Sequence, residues 1–102
     1  MRTHKQRRDE TQQQIMQAAI NLSALHGYDK ITRDQVAMTA NVSPAIISYY
    51  FKTMPQFRRS IMGEAIKQQQ LQIIAQGIVN RDPRALNLSD KIKTKAMLSI
   101  TV

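Results

Sequence analysis

Apolar residues recur with a helical period through the first quarter of the chain. One face of the predicted helix carries Ile15, Ala18, Ala19 and Leu22, at positions i, i+3, i+4 and i+7. Asp9 and Gln12 have the spacing of a capping box, although Asp is a variant of the usual Ser or Thr. His26 sits at the negative end of the helix dipole, and Gly27 can take the left-handed conformation that suits a helix end. The pattern therefore predicts a first helix that begins at Asp9.

Two short helical segments joined by a tight turn follow. Thr32 and Gln35 form a capping box before the narrow apolar stripe of the second segment. Asn41 tolerates a positive φ and suits the turn. Ser43 is then a typical N-cap, with Pro44 at the first helical position and a third segment that ends near Phe51. This arrangement predicts a helix-turn-helix over about residues 32–51.

The rest of the chain is also helical in pattern. Thr53 and Gln56 form another capping box, which opens a predicted fourth helix. If this helix continued unbroken from Pro55 to Val79, it would span roughly 37 Å, longer than a three-helix core is wide. A turn over 80–83 and a final helix capped by Ser89 follow. The predicted fold is all-α: a three-helix helix-turn-helix domain, then a long fourth helix and a short C-terminal helix.

The charge distribution points to a polyanionic partner. The formal net charge is +8 over 102 residues, and it is +4 in residues 1–8, −2 in residues 9–51 and +6 in residues 52–102. Such a balance is typical of nucleic-acid binding. Two alternatives are charge that serves solubility alone and a basic helix on a membrane surface. The second is weaker, because no segment pairs a wide apolar face with a basic one.

Residue types for catalysis or metal binding are scarce. The chain has no Cys, two His residues that are distant in sequence, and only three Gly, so it has no thiolate site and no glycine-rich phosphate loop. We therefore expect no enzyme activity, no cofactor and no metal. No apolar run approaches the ~20 residues of a membrane span, and the N-terminus lacks an apolar signal region. These patterns predict a cytoplasmic protein that does not enter a membrane.

The third helix has two faces of different character. Ile47, Tyr50 and Phe51, at i, i+3 and i+4, can face the core. Six residues would then point outward: Pro44, Ala45, Ile46, Ser48, Tyr49 and Lys52. Small and apolar side chains there suit contact with thymine methyl groups, and the polar ones suit donation to phosphates. The competing interpretation is an ordinary core helix with stray apolar residues on its surface.

These features together resemble the DNA-binding domain of the TetR family of bacterial transcription regulators. The resemblance covers about residues 8–66, over half of the chain. It is carried by Ile15, Ala18-Ala19, Leu22, Gly27, Thr32, Val36-Ala37, Ala40, Val42-Ser43, Ile47, Tyr50-Phe51, Lys52-Thr53 and Phe57. It implies a helix-turn-helix that binds double-stranded DNA.

The chain departs from the family pattern at three positions and in length. Asn41 replaces the usual turn Gly, Ser48 replaces a phosphate-contacting Tyr, and Met54 replaces a Lys at the start of the fourth helix. Family members normally continue into a large domain that binds an inducer and dimerises. Residues 67–102 leave no room for a ligand cavity of several hundred Å³. The chain is thus either a fragment or a small regulator without an inducer, of the kind that a plasmid, phage or small operon encodes.

The resulting hypothesis divides the chain into three parts. Residues 1–8 form a basic arm, residues 9–66 form the DNA-binding domain, and residues 67–102 form a helical extension that dimerises. The expected DNA contacts are Lys5, Arg7, Arg8, Thr32, Arg33, Ser43, Pro44, Ala45, Ile46, Ser48, Tyr49, Tyr50 and Lys52. The hypothesis is a nucleoid-associated repressor or autoregulator that binds double-stranded DNA as a homodimer. The alternatives are a helical adaptor for proteins and a DNA-binding accessory of plasmid partition or conjugation.

Overall fold

The computed structural model describes residues 3–100. Residues 1, 2, 101 and 102, at the ends of the predicted arm and extension, lie outside the described residues. The described range contains α-helices and no strand, which confirms the predicted all-α class. The helices are α1 (His4–His26), α2 (Arg33–Ala40), α3 (Pro44–Phe51), α4 (Met54–Lys67), α5 (Leu71–Val79), α6 (Pro83–Leu86) and α7 (Asp90–Ser99). None of the helices within residues 3–100 combines the length and the apolar character that crossing a bilayer requires.

The first helix begins earlier than predicted. Thr3 is its N-cap and forms a capping box with Gln6, whose backbone N–H donates to the Thr3 hydroxyl over 3.2 Å. The prediction that Asp9 opens the helix is therefore wrong, because a stronger cap stands six residues before it. Lys, Arg and Gln are good helix formers, so nothing in residues 4–8 opposes helix. The predicted basic arm is, from His4 onward, the first turns of α1.

The predicted long fourth helix is also interrupted. α4 ends at Lys67, Gln69 takes a left-handed conformation with φ of +55°, and α5 starts at Leu71. The N–H of Gln70 donates to the carbonyl of Ala65 over 2.8 Å, which satisfies a carbonyl at the end of α4. The break has a packing reason, since it lets α5 bury side chains on two sides.

Two apolar clusters hold the helices together. The main cluster joins α1–α4 and includes Ile15, Ile47, Phe57 and Ile61, each at most 1 % exposed. Ile73 of α5 also belongs to this cluster. The next two residues of α5, Ile74 and Ala75, form a second cluster with Ala96 of α7. The last two helices therefore provide the packing partner that the end of the predicted fourth helix lacked.

A polar joint ties the α1–α2 loop to the second half of the chain. The Gln76 side chain donates to the Ser23 carbonyl over 2.8 Å and accepts from the Tyr28 backbone N–H over 2.9 Å. The Tyr28 hydroxyl donates to Asp82 Oδ2 over 2.9 Å. Asp82 lies within the predicted turn over 80–83 and caps the four-residue α6, a helix that the sequence did not predict. The joint fixes α5 and α6 against the end of α1.

Candidate nucleic-acid interface

The turn between α2 and α3 has the geometry expected of a helix-turn-helix. Asn41 adopts the left-handed conformation, with φ of 59° and ψ of 46°, as predicted. The N–H of Val42 donates to the Ala37 carbonyl over 3.0 Å, which closes the turn. The side-chain amide of Gln14 on α1 donates to the carbonyl of Ala40 at the end of α2. The α2–α3 pair is therefore held at a fixed angle on α1.

The outer face of α3 agrees with the sequence prediction except at two residues. Pro44 and Ala45 are exposed, and Tyr49 is 66 % exposed, so these side chains are open to a partner. Ile47 is buried, and Tyr50 and Phe51 pack partly against the main cluster. The structure corrects the expectation for Ile46 and Ser48: both are half-buried, and Ile46 packs against that cluster too.

The short length of α3 explains why Ile46 is half-buried. With only eight residues, α3 needs a wide apolar face to anchor itself, and adjacent Ile46 and Ile47 widen that face. Ser48, the residue after Ile47, keeps a polar hydroxyl on this helix although it is half-buried too. Contact between Ile46 and a base edge is thereby restricted to the part of its side chain that stays accessible.

The end of α3 carries a tethered cation. The Lys52 backbone caps the helix with φ of 67°, and its Nζ donates to the Tyr49 carbonyl over 3.1 Å. The same ammonium lies 5.7 Å from the centre of the Tyr49 ring. A cation at this point complements the negative end of the helix dipole and sits beside the most exposed aromatic ring of α3.

The first turns of α1 and the end of α3 form a cationic cleft, which sequence reasoning did not anticipate. The cleft has a volume of about 320 Å³ and is lined by His4, Arg7, Arg8, Thr11, Tyr49 and Tyr50. The two tyrosine rings meet edge to face, with centroids 5.1 Å apart. Guanidinium groups and phenol hydroxyls are donors that suit the oxygens of a phosphate. Lys5 is exposed on the same turns but does not line the cleft.

Sequence reasoning placed Arg7, Arg8, Tyr49 and Tyr50 in the site separately but missed His4 and Thr11. No local sequence pattern marks His4 or Thr11 as a residue of the site, because the cleft depends on how α1 lies beside α3. The Thr3–Gln6 capping box was the one available clue, since it makes these residues helical. A helix fixes the direction of each cationic side chain, whereas an extended arm would not.

Three other predicted contacts lie at the starts of α2 and α3. Thr32 is exposed, and its hydroxyl accepts from the Gln35 N–H over 3.2 Å, as predicted. Arg33 is half-buried, and its Nε has no hydrogen-bond partner among residues 3–100. Ser43 is the exposed N-cap of α3, and its hydroxyl makes no capping bond. The start of α3 therefore keeps a hydroxyl free for another acceptor or donor.

Comparison with protein-family models covers the helix-turn-helix part of this interface. Residues 15–60 match the model described as bacterial regulatory proteins, tetR family. This segment runs from the middle of α1 through the helix-turn-helix into α4. The comparisons with curated proteins and with solved structures gave no match. The match supports the resemblance seen in the sequence: residues 15–60, just under half of the chain, are similar to the DNA-binding domain of the tetR family of bacterial transcription regulators.

Proposed function

We propose that this protein binds double-stranded DNA at a specific sequence and represses transcription there. The observation that carries the proposal is the cationic cleft beside the exposed face of α3. Base-reading and phosphate-binding groups then lie next to each other on one surface. Sequence-specific binders need both, because phosphate contacts fix the position on the duplex and base contacts provide the sequence preference.

In the proposed complex α3 enters the major groove. Pro44 and Ala45 at its start are small and exposed, which allows the helix backbone to approach the bases closely. The methyl group of Ala45 and the accessible part of Ile46 would contact thymine methyl groups. Ser43 and Ser48 offer hydroxyls to base edges or phosphates. Tyr49, which is 66 % exposed, would contact the sugar-phosphate backbone at the edge of the groove.

The other predicted residues surround this contact. Arg7, Arg8 and Tyr50 would hold a phosphate in the cleft, and Lys52 beside Tyr49 would add charge there. Thr32 and Arg33, at the start of α2, would meet the opposite strand. Lys5 would contribute charge without a fixed partner. Residues 3–66 would then make the DNA contacts, and the helices after them would support dimerisation.

A homodimer is part of the proposal. One short recognition helix seldom provides enough affinity, and two copies related by a two-fold axis would read two half-sites. Repression by occupancy needs only the DNA and the second copy, so the proposed function involves no inducer. Such a regulator would act at the nucleoid.

Selection of bound fragments from random duplex DNA tests this function. We expect one enriched sequence with two-fold symmetric half-sites. Tyr49→Ala should weaken binding to that sequence about tenfold, by ~1.4 kcal/mol, without lowering the melting temperature, because Tyr49 is largely exposed. Met38→Ala, at an 83 % exposed position of α2, is the matched control. Recovery of no preferred sequence would contradict the proposal and favour the protein-adaptor alternative.

A further inference from the structure

A group of exposed apolar side chains lies at the end of α1 far from the cationic cleft. Leu25 of α1, Val79 of α5 and Ile100 after α7 line one groove and are 77 %, 63 % and 49 % exposed. We call these three residues the distal patch. Together they expose roughly 300 Å² of apolar surface, comparable to the largest patch on a typical monomer, and such patches mark interaction sites.

The distal patch is a rigid surface. Gln76, one turn before Val79, donates to the Ser23 carbonyl, two residues before Leu25. The same side chain accepts from the Tyr28 N–H. The second apolar cluster, with Ala75 and Ala96, holds α7 against α5. Because these bonds fix α1, α5 and α7 relative to one another, a partner that docks there does not have to order the surface first.

The rim of the patch carries both signs of charge. Asp29 and Lys30 are exposed, adjacent in sequence and line the same groove. A surface that meets its own copy across a two-fold axis must be complementary to itself. A surface with one cation next to one anion satisfies this condition, since Asp29 of each copy can face Lys30 of the other where the two-fold axis passes between them. A purely basic partner surface would leave Lys30 opposed by like charge.

The distal patch and the DNA-contacting surface can be occupied together. The cleft is lined by α1 residues from His4 to Thr11, whereas Leu25 is fourteen residues beyond Thr11. At 1.5 Å per residue, the two surfaces are roughly 20 Å or more apart along α1. A second copy on the patch would therefore leave α3 free.

We propose that the distal patch is the surface through which two copies of this chain associate. The inference rests on the homodimer of the proposed function and names the residues that form it. Asp29 pairs reciprocally with Lys30 of the second copy close to the two-fold axis. Beside the axis, Leu25 packs against the Val79 and Ile100 side chains of the second copy.

The test is the solution mass of the full chain, measured by sedimentation equilibrium without DNA. The wild-type chain should approach twice the 11.7 kDa of one copy. Leu25→Glu should raise the dimer dissociation constant at least tenfold, whereas Met38→Glu, which places the same charge at a similarly exposed apolar position outside the patch, should leave it unchanged. A wild-type chain that stays at the monomer mass, or equal behaviour of both variants, would overturn the proposal.

A charge exchange tests the two-fold pairing separately. Lys30→Asp alone should weaken the dimer, because it places like charges opposite each other. Adding Asp29→Lys to the same chain should restore association, since the exchanged charges are again complementary. Equal dimer affinities for the single and double variants would overturn the pairing.

These association results do not depend on whether the chain binds an operator, because no DNA is present. The Leu25→Glu chain, assayed separately on DNA, should still bind one half-site.

Discussion

The hydroxyl of Tyr28 donates to Oδ2 of Asp82 over 2.9 Å, across 54 positions of sequence. Tyr28 is 5 % exposed, so this bond lies in the joint between the DNA-binding domain and α5–α6. Asp82 also accepts from the Arg84 N–H through its other oxygen, over 3.0 Å. One carboxylate therefore caps α6 and holds the α1–α2 loop.

Removing the phenol hydroxyl should loosen this joint. We expect Tyr28→Phe to lower the free energy of unfolding by about 1.5–3 kcal/mol, the range for a hydrogen bond to a charged group. Tyr49→Phe is the control, because Tyr49 is exposed and its hydroxyl contributes little to folding. Urea denaturation measures both values. Equal stabilities for the two variants would show that the Tyr28–Asp82 bond contributes nothing measurable.

The same residue should make stability depend on alkaline pH. Burial, together with the hydrogen bond to Asp82, raises the pKa of Tyr28 to about 12. An unfolded Tyr titrates near 10, so the folded state holds the proton more tightly. The stabilisation is therefore complete below about pH 10 and is lost as the pH rises towards 12. The stability difference between wild type and Tyr28→Phe should shrink over that window, and a constant difference would contradict the assignment.

The turn of the helix-turn-helix should be sensitive to the residue at position 41. Asn41→Gly should be nearly neutral, because Gly accepts the left-handed conformation that Asn41 adopts. Asn41→Val should cost about 1–2 kcal/mol or more, since a β-branched residue is strained there. The Val variant should also bind DNA more weakly, because α3 loses its fixed angle. Thermal melts and DNA titrations of both variants check this, and tolerance of Val would refute it.

Two glycines in helices should respond differently to an added methyl group. A Cβ at Gly77 would lie 2.5 Å from Met62 Cε and 2.8 Å from Ala85 Cβ, inside the core. We expect Gly77→Ala to destabilise the fold by about 1–3 kcal/mol. A Cβ at Gly63 meets only Nη1 of Arg84, at 2.9 Å, which donates to the Arg59 carbonyl at the end of a long side chain. Ala is favoured over Gly in a helix by up to about 1 kcal/mol, which offsets the shift of that guanidinium, so Gly63→Ala should destabilise the fold less than Gly77→Ala. The reverse order of stabilities would contradict this prediction.

The cations of the cleft should govern the salt dependence of DNA binding. Replacing Arg7 and Arg8 by Ala should flatten the slope of log K against log salt by about 2, with the sequence preference largely kept. Lys91→Ala with Lys95→Ala removes the same charge from α7 and should change the slope much less. The binding constant of each double variant for the selected sequence can be measured by titration at several salt concentrations. Similar slopes for the two would mean that general charge, rather than the cleft, drives binding.

Local signals in the sequence predicted much of the fold. The caps at Thr32, Thr53 and Ser89 hold as predicted, and each depends on residues only three positions apart. Asn41 was predictable for a similar reason, because a residue's tolerance of positive φ is a local property. The helix-turn-helix follows from these short-range features and from the apolar period.

The features that were missed depend on distant parts of the chain. Gln69 has no residue-type preference for a left-handed conformation, so the break after α4 follows from how α5 packs. The hydrogen bonds of Gln76 to Ser23 and Tyr28 join residues about fifty positions apart, and no periodic pattern in the sequence predicts them. The cleft likewise exists only because α1 lies beside α3. Long-range packing therefore decides the part of the candidate site that sequence patterns left open.

The helical start of α1 has a kinetic consequence. Ordering a flexible segment costs about 1–2 kcal/mol of backbone entropy per residue, and an unstructured tail would incur that cost on meeting a duplex. Because Lys5, Arg7 and Arg8 already project from a formed helix, the encounter requires no coil-to-helix step. The association rate should then fall as the ionic strength rises, as expected for electrostatically steered diffusion. It should not be limited by the slower ordering of a chain end.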